Sequence, residues 1–107
     1  MRFASAQIMA YVADDLWLRL ARQANDAATG LAAQIEPIAG VTITVPVQAN
    51  ELFVDMAPAA LSGLEDEGIL FYRRSPRLAR FVCRWDTSDS DVASLAGSIR
   101  RHAAAAV

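Results

Sequence analysis

At 107 residues, 54% of them hydrophobic, the chain is long enough to form one core and too apolar to be disordered. Its net charge of −2 provides no field to draw nucleic acid or an anionic membrane, and no apolar stretch is long enough to span a bilayer. All ten basic residues are arginine, beside one histidine and one cysteine. That excludes a lysine Schiff base formed by this chain and an internal disulfide, and it leaves no His/Cys cluster for a metal.

The first seven residues show no basic region followed by an apolar core, so no secretory signal is expected and a cytoplasmic protein fits. Residues 4–13 form a short helical candidate with Ile8, Tyr11 and Val12 at helical spacing. Asp14-Asp15 reads as the N-cap of a second helix. From there Trp17, Leu20, Ala24, Ala27 or Ala28, Leu31 and Ile35 form one apolar stripe. Pro37 disfavours helix at Glu36 and stops it. Trp17 and Trp85 are expected as core or interface anchors.

After Gly40 the period changes. Val41 to Val45 alternates and is β-branched, and Leu52 to Met56 follows as a second strand, antiparallel to the first because the connection is short. Pro58 opens a helix carrying Leu61 and Leu64, with Gly68 as its stop. Ile69 to Tyr72 is the third strand and residues 78–85 are the fourth. Arg73, Arg74 and Arg77 fall in the intervening turn and read as solvated, as does the helix end Glu65-Asp66-Glu67. Thr87 or Ser88 caps a last helix with the apolar stripe Val92, Leu95, Ala96 and Ile99. His102, near the alanine-rich end, reads as solvated.

The expected fold is α+β: one domain over residues 1–107, a small, mainly antiparallel four-stranded sheet with helices on one face. The other sheet face is left uncovered and wants a partner. On the fourth strand, Ala79, Phe81, Cys83 and Trp85 share one face, while Leu78, Arg80, Val82 and Arg84 share the other. Cys83 reads as a small buried apolar residue. Arg80, flanked by apolar neighbours, needs an acceptor, and its planar fork suits a carboxylate. Either an Asp or Glu of the same chain satisfies it, or a ligand does.

Several stretches resemble the low-specificity L-threonine aldolase family: Met1-Arg2-Phe3 with the helix through Trp17, Glu36-Pro37-Ile38-Ala39-Gly40, Ala49-Asn50-Glu51-Leu52-Phe53-Val54, and Leu78 to Thr87. They run in collinear order over nearly the whole chain, and they match only the C-terminal part of that family. The resemblance implies the small domain of a pyridoxal-phosphate enzyme of the aspartate-aminotransferase-like fold. The large domain, with the Schiff-base lysine, would lie elsewhere. It implies that Arg80 binds the substrate α-carboxylate, that Arg2 lies on the phosphate side of the cofactor, and that Asn50 has a turn role. The implied reaction is retro-aldol cleavage of a β-hydroxy-α-amino acid.

This chain would then hold no catalytic residue and no metal, and would be inactive alone. Its expected partners are the missing large domain or a second copy of itself, a dimer through the uncovered sheet face. The alternative is a free-standing, non-catalytic interaction module descended from that domain. A third possibility, an anion or nucleic-acid binder built on Arg73, Arg74, Arg77, Arg80 and Arg84, is disfavoured because the aromatics do not interleave as a stacking platform.

Overall fold

In the computed structural model, residues 3–47 and 49–106 are described, with side chains from residue 16 onward. Three helices and four strands follow in the order α1 (Phe3–Ile35), β1 (Thr42–Ile43), β2 (Glu51–Asp55), α2 (Pro58–Asp66), β3 (Tyr72–Arg73), β4 (Leu78–Val82) and α3 (Asp89–Ala105). The strands form one antiparallel sheet in the order β1-β2-β4-β3. This is the expected α+β arrangement.

One helix stands where the sequence suggested two. Residues 3–35 run unbroken through Asp14-Asp15. An aspartate costs only about 0.7 kcal/mol relative to alanine inside a helix. With no proline in the segment and no glycine before Gly30, two such residues do not interrupt it. The helix ends at Ile35, two residues before Pro37, as the pre-proline restriction requires. Its buried stripe comprises Ala24, Ala27, Ala28, Leu31, Ala32 and Ile35. Trp17 is 70% exposed, so it is no core anchor.

Helix α2 begins on Pro58 and closes in a Schellman motif. Gly68, at φ +90°, donates its N–H to the carbonyl of Glu65, and Ile69 donates to that of Leu64. This cap explains why β3 begins later than expected. The N–H of Ile69 is committed to the helix end, and strand pairing starts only at Tyr72. Helix α3 starts with a reciprocal capping box: the Ser88 hydroxyl accepts from the Asp91 N–H, and the Asp91 carboxylate accepts from the Ser88 N–H.

The core lies between the helices and one face of the sheet. Leu52, Val54 and Met56 from β2 and its end, with Ala79, Phe81 and Cys83 from β4 and its end, pack against Leu31, Ile35, Leu61, Leu64, Val92 and Ile99. Cys83 is buried there as expected, and burial pushes its thiol pKa up.

Two charged clusters that read as solvated in sequence tie elements together. Arg73 spreads its fork over α2 and the β3–β4 turn. It donates to Glu65 Oε1 at 2.8 Å, Ser62 Oγ at 3.2 Å, and the carbonyls of Pro58 and Pro76, both at 3.1 Å. Arg77 pairs with Asp55 at 2.9 Å. Glu67, just past α2, collects three donors from α3: the Ser98 hydroxyl at 2.7 Å, the Arg101 guanidinium at 3.0 Å and His102 Nε2 at 2.8 Å. The imidazole sits over Gly63, where an added Cβ would lie 2.3 Å from Nδ1. His102 is thus half-buried at a helix contact rather than solvated.

Two measurements follow. Ile99 is fully buried, so Ile99→Ala lowers stability by about 2–5 kcal/mol in urea titrations, whereas Arg100→Ala on the exposed face changes it by less than about 0.5 kcal/mol. Hydrogen bonds from Ser98 and His102, then Arg101, lower the Glu67 pKa from 4.5 to about 2. A depressed carboxylate contributes stability that is fully present above its unfolded pKa and lost as pH falls through its folded one. Glu67→Gln is therefore destabilising at pH 7, and its deficit against wild type shrinks as pH falls from about 4.5 toward 2. Asp91, also lowered by its hydrogen bonds from Ser88, keeps a residual slope in both proteins.

Candidate functional site

The register of the central strands builds the site. Arg80, in the middle of β4, faces away from the helices because its neighbours Ala79 and Phe81 face in. Its direct cross-strand partners are Phe53 on β2 and Tyr72 on β3. The guanidinium therefore stands in a row of two aromatics. Its Cζ lies 5.1 Å from the Tyr72 ring centroid, a cation–π distance.

Glu51 reaches Arg80 on the diagonal. It pairs with Val82, two residues along the same face, which is within reach of long side chains. Arg80 Nε donates to Glu51 Oε1 at 3.1 Å, and Nη2 donates to the same oxygen. Of the two acceptors that the sequence left open for Arg80, one of its own fold is thus in place. This hydrogen bond raises the guanidinium pKa, against the opposing effect of burial. The two side chains are 30% and 32% exposed, so the pair sits at the surface and not in the core.

The contacts divide the guanidinium. Its side edge, Nε with Nη2, belongs to Glu51. Nη1 has no hydrogen-bond acceptor among the described residues, so the end edge, Nη1 with Nη2, is available. Arg80 lines a depression of about 470 Å³ together with Leu70, Phe71, Tyr72, Val82 and Arg84. Arg84 is 73% exposed and stands 3.6 Å from Asp86, beyond a good hydrogen bond. An apolar floor with two guanidinium groups at its rim can hold an anion that carries a small organic body. A planar carboxylate matches the arginine fork. No serine, threonine, cysteine, lysine or histidine lines it.

Asn50 does turn work. Its Nδ2 donates to the Cys83 carbonyl at 2.8 Å and its own carbonyl accepts from the Cys83 N–H at 2.8 Å, which fixes the end of the β2–β4 pair. Ala49 beside it turns at φ +55°. Arg2 lies outside the described residues. Trp85, 54% exposed, shares a surface depression with Trp17, Leu20 and Ala24, so it too is outside the core. Nothing local in the sequence distinguishes Glu51. Its role depends on the β2–β4 register, and α2 and β3 separate those strands along the chain.

Among the described residues, no helix is long and apolar enough to cross a membrane. No protein-family model matches the sequence. The low-specificity L-threonine aldolase of Pseudomonas sp. (strain NCIMB 10558) is 41% identical over 101 residues, and that of Pseudomonas aeruginosa is 39% identical over 101 residues. Each match takes in 94% of this chain, and the chain spans 29% of the length of each relative. Along nearly all of its own length, the chain is related to one part of the low-specificity L-threonine aldolases.

Proposed function

We propose that residues 1–107 are the C-terminal domain of a pyridoxal-phosphate-dependent threonine aldolase, and that Arg80 binds the α-carboxylate of its β-hydroxy-α-amino-acid substrate. The observation that carries this reading is an Arg80 with no acceptor for Nη1 among the described residues, lining a depression of about 470 Å³, in a chain about 40% identical to enzymes of that name. A two-point grip on the carboxylate fixes the orientation of the bonds at Cα, which selects the bond to be broken. Arg84, on the same face but loosely held, adds positive charge at the rim.

The chain itself does not fit the cofactor as a sole host. It contains no lysine, and its one histidine is engaged by Glu67. Pyridoxal phosphate supplies an electron sink for carbanion chemistry when bound, so its covalent attachment falls to the remainder of a longer protein. Arg2, next to the cofactor phosphate in this reading, would be this chain's contribution to holding it. Isolated, these 107 residues are inactive, and the complete enzyme is cytoplasmic.

The test uses a polypeptide that joins this chain to the remaining length of a low-specificity L-threonine aldolase. There Arg80→Ala lowers kcat/KM for L-threonine by roughly 10- to 100-fold, the value of a hydrogen-bonded charge. Arg80→Lys falls nearly as far because the fork is lost, and Arg84→Ala has a much smaller effect. Equal losses for Arg80→Ala and Arg84→Ala remove the assignment.

One observation favours a second reading, a free-standing interaction module. Leu70, Tyr72 and Val82 are 94%, 61% and 39% exposed and adjoin one another at the same depression. In that case the isolated chain sediments as a defined dimer, and Val82→Arg returns it to monomer. A monomer at all concentrations in sedimentation equilibrium counts against self-association.

A further inference from the structure

Glu51 stands outside the core, yet it takes both Nε and Nη2 of Arg80 on one oxygen. The edge it occupies is the one that faces along the sheet toward β2. The edge it leaves, with Nη1, has no acceptor among the described residues, and Arg80 lines a depression whose other walls come from β4 and its end and from the β3 side, with no residue of β2. Tyr72 supports the guanidinium from the opposite neighbouring strand. Phe53, the direct partner on β2, has a side chain that cannot hydrogen-bond, so on β2 the holding is left to the diagonal carboxylate.

We infer that Glu51 is a positioning residue: it holds the side edge of Arg80 so that the end edge is presented, already oriented, to a ligand carboxylate. This rests on the proposed role of Arg80. Two other roles are conceivable for the same contact, and they differ in sign. If Glu51 only stabilised the fold, its removal would lower stability without changing ligand affinity. If it competed with the ligand for the guanidinium, its removal would tighten binding.

The experiment is done in the same joined polypeptide, with Arg80→Ala as reference. Glu51→Ala leaves Arg80 unanchored and raises KM for L-threonine roughly tenfold, with a smaller change in kcat. Glu51→Gln keeps an oxygen acceptor in place and recovers most of that affinity. In the 107-residue chain, NMR gives a readout independent of turnover. The Arg80 Nε–H resonance exchanges slowly with water in wild type and in Glu51→Gln, and is lost to fast exchange in Glu51→Ala. An unchanged KM in both Glu51 variants, or a lower KM in either, overturns the positioning role provided Arg80→Ala retains its large effect. If Arg80→Ala itself has no effect, the reading of Arg80 fails and this inference fails with it.

Discussion

The pairing of β2 with β4 is the constraint on which the other features rest. Five residues of each strand are in register, from Glu51 opposite Val82 to Asp55 opposite Leu78. Because side chains alternate, that one register does two jobs. It sends Leu52, Val54, Ala79 and Phe81 into the helix-covered core, and it sets Glu51, Phe53, Arg80 and Val82 on the opposite face. A slip of one residue would bury a guanidinium and expose the core row. The apolar inner row therefore fixes where the charged outer row stands. Asn50 ties off the same strand pair by hydrogen-bonding both backbone groups of Cys83.

The ion pairs are distributed in a way that favours geometry over net stability. Arg73, Arg77, Arg80 and Arg101 each meet a carboxylate of the same chain, and all four pairs are partly exposed. Pairs of that kind contribute little individually because solvent screens them, while the buried aliphatic core supplies most of the stability. The pairs instead join particular elements: Arg73 holds α2 to the β3–β4 turn, Glu67 holds the end of α2 to α3, and Glu51 holds β2 to β4. Each of them restricts how two neighbouring elements can sit relative to each other.

Much of this was legible from residue order. The alternation at Leu52 to Met56 and at residues 78–85, the helix-start signal at Ser88 and the stops at Pro37 and Gly68 all mark real boundaries to within a few residues. They were readable because each depends on local chemistry. The misreadings share a different cause. Asp14-Asp15 has the right residue type for a cap, but an alanine-rich helix without a breaker simply runs through it. Ile69 has strand propensity, but its N–H is taken by the end of α2. His102, Glu67 and Arg73 read as solvated because their side-chain partners lie 8 to 35 residues away. The candidate site shows the same division. Arg80 could be singled out from its own strand, whereas Glu51 and Tyr72 became its neighbours only through strand register.

Arg80 and Arg84 point to the same side of the sheet and differ in how much freedom they have left to lose. A free arginine side chain carries about 2 kcal/mol of rotamer entropy, which a ligand must overcome on binding. Arg84, 73% exposed and only loosely near Asp86, retains most of it. Arg80 has already been ordered by a carboxylate on one strand and an aromatic ring on another, and its Nη1 still has no acceptor among the described residues. An arginine that served only to balance Glu51 would gain nothing from an edge left without an acceptor on a residue that lines a depression. One that receives a carboxylate from outside gains directly, because the cost of ordering it has been met by folding and not by binding.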